Sequence, residues 1–165
     1  MRTETEIINA MDVYSDTVRR LCFVYLKNHA DTEDIFQTVF IKYAYSDKEF
    51  ESEEHEKAWI IRVTINQCKD LLKSFFRKNT VSIQAMEAID SLPEFQVSDG
   101  HSKVLEAVAS LPKKYRVPIY LHYIEGYSAI EIGNMLQKNV NTIYTNLSRG
   151  RNLLREILEG GEIDG

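Results

Sequence analysis

Residues whose types and spacing suit DNA binding lie near the end of the chain. Between residues 138 and 155 there are four basic side chains and no acidic one, namely Lys138, Arg149, Arg151 and Arg155. Positive charge of this kind attracts the phosphates of nucleic acid, and the amide and hydroxyl groups between the basic residues can hydrogen-bond to base edges. The side chains expected to face outward are Asn141, Tyr144, Thr145, Ser148 and Arg149.

The elements around these residues predict a helix-turn-helix. Ser128 and Glu131 have the spacing of a capping box, so a helix should begin at Ala129. Residues 137–139 interrupt the apolar pattern, and Asn139 is a good N-cap for a second helix. The buried stripe of that helix would be Val140, Ile143, Leu147 and Leu154. An amphipathic hairpin packed on the rest of the protein would show the same stripe, but the caps and the charge asymmetry favour DNA binding.

The overall charge hides a second basic stretch. The 165-residue chain has a net charge of -5, but residues 81–102 alone carry four acidic and no basic side chains. Between residues 57 and 78, Asp70 is the one acidic residue among six basic ones, Lys57, Arg62, Lys69, Lys73, Arg77 and Lys78. Two basic helices flanked by acidic segments predict two contacts with DNA.

The hydrophobic periodicity predicts an all-α protein of two small helical domains joined by a flexible linker. A first long helix or pair of helices ends near residues 28–30, Asp31 caps the next helix, and a third helix spans roughly 56–77 and buries Phe75. In the second domain, Pro112 marks a helix start, Pro118 a kink and Gly126 a stop. The predicted ranges are 1–78 for the first domain, 79–102 for the linker, 103–159 for the second domain and 160–165 for a tail.

Other classes of protein fit the sequence poorly. There is no apolar run of membrane-spanning length and no signal peptide, so we expect a cytoplasmic protein without membrane insertion. Cys22 and Cys68 lie in apolar helical patterns and predict buried thiols. The four histidines are scattered, which argues against a metal site, and no catalytic constellation or cofactor motif predicts an enzyme.

Taken in order, four segments resemble one protein family. DTEDIFQTVFIKYAY, AWIIRVTINQCKDLLKSFFRK, SLPKKYRVPIYLHYIEGYSAIEI and the helix-turn-helix are similar to the small bacterial RNA polymerase sigma factors of the extracytoplasmic-function group. The resemblance covers nearly the whole chain. It implies a sigma factor that binds core RNA polymerase and promoter DNA, initiates transcription at specific promoters and is commonly held inactive by an anti-sigma factor.

The resemblance assigns two surfaces to the first domain. The polymerase-binding positions correspond to Asp31, Glu33, Asp34, Gln37 and Phe40, although acids here would also serve simply to cap and solvate a helix. The positions that melt and read the minus-ten element correspond to Phe50 and Asn66 for a flipped base and to Lys57, Arg62, Lys69 and Lys73 for phosphates. Trp59 is assigned to the core in preference to a stacking wall.

The helix-turn-helix corresponds to the part that reads the minus-35 element. The resemblance implies contacts from Asn141, Thr142, Tyr144, Thr145, Ser148, Arg149 and Arg151, with Arg149 the first candidate for a phosphate or guanine contact. This chain departs from the family pattern at several positions, which are Thr38, the acidic loop 51–56, Gly133, Gln137, Tyr144 and Asn146. Gly133 and Gln137 should weaken the helix and the turn, and Tyr144 and Asn146 replace basic residues on the recognition helix.

A stand-alone helix-turn-helix regulator is the alternative. It would explain the second half of the chain equally well and would bind duplex DNA without polymerase. It would not explain a basic helix that carries Asn66 and Lys69 beside Phe50.

Overall fold

The computed structural model describes residues 1–27, 29–79 and 103–164, except for the side chains of residues 29, 76–79 and 161–164. Every regular element in these ranges is helical, which confirms the predicted all-α class. We number the helices α1 (Glu4–Leu26), α2 (His29–Tyr45), α3 (Glu53–Asn79), α4 (Lys103–Ala109), α5 (Lys113–Ile119), α6 (Ala129–Leu136) and α7 (Val140–Asp164). The described residues form two compact units, one before and one after residues 80–102.

The first unit is a bundle of three helices in which each of α1, α2 and α3 packs against the other two. Its fully buried side chains include Val18, Leu21, Val39, Ile60 and Ile65. The two thiols belong to this core, because Cys22 and Cys68 are both fully buried. The prediction of buried thiols is confirmed.

Helix α1 is one continuous helix with caps at both ends. Thr3 and Glu6 form a capping box, with Thr3 Oγ1 accepting from the Glu6 amide at 3.2 Å and Glu6 Oε2 accepting from the Thr3 amide at 2.9 Å. The helix ends early because Lys27 adopts the left-handed conformation, with φ 52°. Helix α2 therefore starts at His29, and the prediction that Asp31 caps it is wrong, since Asp31 lies in its first turn.

Helix α3 begins earlier than the sequence predicts and extends further. Ser52 precedes it and its hydroxyl accepts from the His55 amide at 3.1 Å, which supplies the cap. Cys68 is the last fully buried residue of α3 in the described part, and Phe75, two turns later, is 41% exposed. The prediction that Phe75 is buried is wrong because the apolar pattern continues past the packed part of the helix. Residues 80–102, which hold nearly all of the predicted linker, lie outside the described residues.

In the second unit, α7 packs against α4, α5 and α6. Pro118 lies near the end of α5, which passes into a single π-helical turn, Tyr120–Ile124, where the Glu125 amide donates to the Tyr120 carbonyl at 3.2 Å. Gly126 follows with φ 84°, as predicted for a stop. At the chain's end α7 runs to Asp164, so most of the predicted tail is helical.

Close approach between α5 and α7 depends on Gly150. A Cβ at this position would lie 2.7 Å from Ile119 Cγ1 and 3.2 Å from Tyr115 Cβ. The glycine thus allows α7 to sit directly on α5.

No helix in the described ranges is long and apolar enough to cross a membrane. Within the same residues, no group of three or more His, Cys, Asp and Glu side chains is placed to hold a metal ion.

Candidate nucleic-acid interfaces

The start of the helix-turn-helix has the predicted caps. Ser128 Oγ accepts from the Glu131 amide and Glu131 Oε1 accepts from the Ser128 amide, both at 3.1 Å, so α6 begins at Ala129. Asn139 Oδ1 accepts from the Asn141 amide at 2.8 Å, which makes Asn139 the predicted N-cap of α7. The cap and the two helix starts are confirmed.

The turn between the helices is tight and relies on Gly133. Gln137 ends α6 in the left-handed conformation, with φ 56°, and the Lys138 amide donates to the Gly133 carbonyl at 2.9 Å. A Cβ on Gly133 would stand 2.9 Å from the Lys138 carbonyl oxygen. Gly133 is therefore needed for this turn, whereas the sequence suggested only a loss of stability. Gln137 reduces the stability of the turn, because the left-handed backbone conformation costs a non-glycine residue roughly 1 kcal/mol.

One side of α7 is buried and the other carries the predicted DNA contacts. Ile143 and Leu147 pack inward, whereas every proposed minus-35 residue is exposed, namely Asn141, Thr142, Tyr144, Thr145, Ser148, Arg149 and Arg151. Asn146 is only 8% exposed and lies on the core side of the helix. Of the two positions at which relatives often carry basic residues, Tyr144 therefore faces the predicted DNA surface and Asn146 does not.

Arg149 lies beside a tyrosine hydroxyl of α5. Burial by itself would raise the pKa of the Tyr115 hydroxyl, but hydrogen bonds and positive charge from Lys114 and Arg149 outweigh burial and lower it. The Lys114 ammonium is 5.0 Å from the centre of the Tyr115 ring. Lys114 of α5 and Arg149 of α7 thus both act on the Tyr115 hydroxyl, which gives α5 a positive edge beside α7.

The second basic surface is a stripe along α3. Trp59, Arg62, Asn66, Lys69 and Lys73 follow one another at intervals of three or four residues, the spacing that keeps side chains on one helix face. Arg62, Asn66 and Lys73 are exposed, and Trp59 and Lys69 are partly exposed. We call these five residues the α3 stripe.

Lys57 does not belong to the α3 stripe. It precedes Trp59 by two residues, a rotation of about 200°, which places it on the side of α3 that also carries the buried Ile61 and Thr64. The structure therefore separates Lys57 from the other proposed phosphate contacts.

Phe50 joins the N-terminal end of the α3 stripe through a group of rings. Its ring centre is 5.7 Å from that of Trp59 and 5.4 Å from that of His55, which meets it edge-on. Trp59 also lies 6.2 Å from Tyr43, a buried residue. Trp59 therefore connects the core to Phe50. The predicted choice between core and stacking wall is not exclusive, because Trp59 is partly exposed.

Sequence reasoning missed Arg2, which holds the segment before Phe50. Its backbone amide donates to the Ala44 carbonyl at 2.8 Å, its Nε donates to the Tyr43 carbonyl at 3.0 Å, and its Nη2 donates to the Lys48 carbonyl. The guanidinium carbon is 4.3 Å from the centre of the Tyr43 ring and 5.1 Å from that of Phe50. These partners are more than 40 positions away in sequence, so no local pattern could reveal them.

The acidic loop beside Phe50 is partly folded into the unit. The Tyr43 hydroxyl donates to Glu56 Oε2 at 3.0 Å, and burial, followed by the hydrogen bond and charge of Glu56, raises the pKa of Tyr43 to about 12. Glu53 and Glu54 are exposed but lie in the first turn of α3, where the helix dipole favours negative charge. Glu56 is therefore held against Tyr43, whereas Glu53 and Glu54 remain at the surface.

The proposed polymerase-binding residues of α2 do not all reach the surface. Glu33, Asp34 and Gln37 are exposed and Asp31 is partly exposed. Phe40 is 5% exposed and packs on Phe36 with ring centres 4.9 Å apart, so the expectation that it offers a contact surface is wrong. Glu33 pairs with Arg19 of α1 at 3.3 Å, and we call Asp31, Glu33, Asp34 and Gln37 the acidic edge.

Comparison with known proteins finds one family in both units. Residues 11–78 match the family model "Sigma-70 region 2", and residues 101–154 match "Sigma-70, region 4". The chain is 30% identical over 163 residues to the ECF RNA polymerase sigma factor SigW of Bacillus subtilis, and the match covers 90% of this chain and 86% of that relative. RNA polymerase sigma factor SigV of the same organism is 26% identical over 153 residues, which cover 93% of this chain and 91% of SigV.

Two solved structures share the fold. The sigma factor RpoE, solved with the anti-sigma factor NepR from Bartonella quintana, superposes with a TM-score of 0.70 at 20% identity, covering 93% of this chain and 97% of RpoE. CnrH, solved with the cytosolic domain of CnrY, gives a TM-score of 0.62 at 17% identity, with 96% and 90% covered. At these identities the likeness establishes the fold alone.

Proposed function

This chain belongs to the extracytoplasmic-function sigma factors of the sigma-70 family, and we propose that its two units divide promoter recognition between them. As a sigma factor it directs core RNA polymerase to promoters and initiates transcription there. The first unit, we propose, opens and reads the minus-ten element with the α3 stripe and Phe50. The second unit reads the minus-35 element with the exposed face of α7. Because residues 11–78 match sigma-70 region 2, a stand-alone regulator is not favoured.

The observation that supports this division best is the α3 stripe with Phe50 at its end. A ring suits stacking on an unpaired base, and the exposed Asn66 amide can both donate to and accept from a base edge. Asn66 follows Trp59 by seven residues, about 10 Å along the helix axis. Arg62, Lys69 and Lys73 on the same face suit the phosphates of one separated strand.

Replacing Asn66 with Ala tests the minus-ten assignment. Removal of the amide should reduce the fraction of open complexes formed by the holoenzyme, measured by permanganate reactivity of unpaired thymines, and should leave affinity for core polymerase unchanged. Lys57→Ala is a control on the same helix, because Lys57 lies off the α3 stripe, and it should open promoters as well as the wild type. An unchanged open-complex yield for Asn66→Ala would remove Asn66 from the pocket.

Replacing Arg149 with Ala tests the minus-35 assignment. Arg149 is exposed beside Tyr115 and Lys114, where a phosphate would meet two cations. If Arg149 contacts a phosphate, the slope of log affinity against log salt should fall by about one. A wild-type slope with weaker binding would point to a base contact, and wild-type affinity would reject any contact.

We further propose that the acidic edge of α2 binds a basic surface of core polymerase. Its exposed carboxylates favour such a partner through charge complementarity. An acid that merely caps the helix would instead stabilise the free protein, whether or not polymerase is present. Asp34→Asn should lower affinity for core polymerase and leave the thermal stability of the free protein nearly unchanged. A loss of stability without a loss of affinity would support the capping role.

Regulation by an anti-sigma factor is also proposed, together with a cytoplasmic location. The support is that RpoE, which shares the fold, was solved in complex with the anti-sigma factor NepR, and that CnrH was solved with the cytosolic domain of CnrY. If an inhibitor is present in the native host, transcription from the cognate promoter should stay low until the sigma factor is overproduced and then rise sharply. A response proportional to sigma concentration from the start would argue against an inhibitor.

A further inference from the structure

Arg2 joins the start of the chain to the segment that presents Phe50. Its side chain donates to the carbonyls of Tyr43 and Lys48, and its guanidinium lies over the rings of Tyr43 and Phe50. We propose that Arg2 is a positioning residue of the minus-ten pocket, which fixes the Phe50 ring in the orientation that receives a flipped base. The proposal rests on the proposed role of Phe50 in the pocket.

Arg2 binds the C-terminal end of α2. Helix α2 ends at Tyr45, so the carbonyls of Tyr43 and Ala44 are among those that lack partners within the helix. Arg2 donates to the Tyr43 carbonyl through Nε, beside the Ser46 amide that donates to the same carbonyl at 3.2 Å, and to the Ala44 carbonyl through its backbone amide. Its positive charge is also favourable at the C-terminal end of a helix.

Arg2 also binds the loop that follows α2. Nη2 of the same guanidinium donates to the Lys48 carbonyl, two residues before Phe50. A planar guanidinium can serve two carbonyls and lie against ring faces at the same time, whereas a lysine ammonium is a compact point charge. Arg2 therefore ties the last turn of α2 to the loop in one fixed geometry.

The Phe50 ring contacts both α3 and Arg2. The Arg2 guanidinium, the Trp59 ring and the edge-on His55 ring each contact the Phe50 ring, at 5.1, 5.7 and 5.4 Å between centres. Trp59 and His55 both belong to α3, whereas Arg2 lies outside it. Without Arg2 the Phe50 ring keeps only its contacts with α3. The free energy needed to order the ring would then reduce the affinity of the pocket for a flipped base.

The test uses reconstituted holoenzyme on a promoter identified by run-off transcription. The variants are Arg2→Ala, Arg2→Lys, Phe50→Ala, the double variant of Arg2→Ala with Phe50→Ala, and Lys42→Ala. Lys42 is an exposed cation in the last turn of α2 and serves as the matched control for charge at this helix end. Three quantities are measured for each: affinity for core polymerase, binding of closed promoter, and fluorescence of 2-aminopurine placed at candidate flipped positions.

The expected result is selective. Arg2→Ala should lower the equilibrium for base flipping by roughly fivefold to tenfold, the size expected for loss of a partly buried cation–π contact and its hydrogen bonds. Arg2→Lys should recover only part of the loss, and Lys42→Ala should stay within about twofold of the wild type. Affinity for core polymerase should not change in any of these variants.

The double variant separates a positioning role from general stabilisation. If Arg2 acts through Phe50, the double variant should flip the base no worse than Phe50→Ala alone, because coupled residues are not additive. Additive losses, or a parallel loss of polymerase affinity in Arg2→Ala, would overturn the proposal. If Phe50→Ala opens the promoter like the wild type, the pocket assignment itself fails, and that outcome is distinct from failure of Arg2 alone.

Discussion

A methyl group added at Gly150 should destabilise the second unit although it improves helix propensity. The new Cβ would lie 2.7 Å from Ile119 Cγ1, 3.1 Å from Ile119 Cδ1 and 3.2 Å from Tyr115 Cβ. Because Ile119 is fully buried, either its side chain must shift within the core or α7 and α5 must separate. Overpacking of this kind costs about 1–3 kcal/mol, and replacing glycine with alanine inside a helix recovers about 1 kcal/mol. We expect Gly150→Ala to lower the free energy of unfolding of this unit by up to about 2 kcal/mol.

Gly160→Ala is the matched control on the same helix. A Cβ at Gly160 meets nothing within 4 Å, so this substitution should be neutral or stabilise by up to about 1 kcal/mol. Amide hydrogen exchange at Ile143 and Leu147 measures the opening of the second unit separately from the first. Equal protection in Gly150→Ala and Gly160→Ala would refute the argument that close helix packing at Gly150 limits stability.

Three further predictions concern caps, the turn and pH. Ser128→Ala should destabilise the second unit by about 1 kcal/mol in urea unfolding, since one partner of the capping box is lost. Gln137→Gly should stabilise it by up to about 1 kcal/mol, because glycine adopts the left-handed conformation without strain, and no change would show that Gln137 makes compensating contacts. The pKa values of Tyr43 and Tyr127 are both raised from 10 to about 12, so the folded chain holds these protons more tightly than the unfolded chain. The free energy of unfolding should therefore fall as pH rises from 10 towards 12, and Glu56→Gln should reduce the fall that comes from Tyr43.

Local signals in the sequence account for the helix-turn-helix. The Ser128 capping box and the Asn139 cap use partners two or three residues apart, so their residue types specify the geometry directly. Thr3 and Glu6 have the same capping-box spacing, from which the start of α1 could also have been predicted. Helix ends without such signals were misplaced, because Lys27 adopts a left-handed conformation with no glycine to mark it.

The side of a helix on which a residue lies was harder to predict than the position of the helix. Phe40 was assigned to a contact surface from its place in a segment, but helical rotation directs it to the core. Lys57 has the charge of the other minus-ten candidates and lies on another side of α3. Arg2 was missed for a different reason, since its partners come together only when α1, α2 and the following loop are folded.

Run-off transcription with sequencing tests the central claim most directly. Purified bacterial core polymerase would transcribe fragmented genomic DNA with and without this protein, and the new transcript ends would be mapped. The account predicts discrete start sites that appear only with the protein and share two spaced upstream elements. No new start sites with a cognate core enzyme, together with binding of intact duplex DNA in its absence, would contradict it.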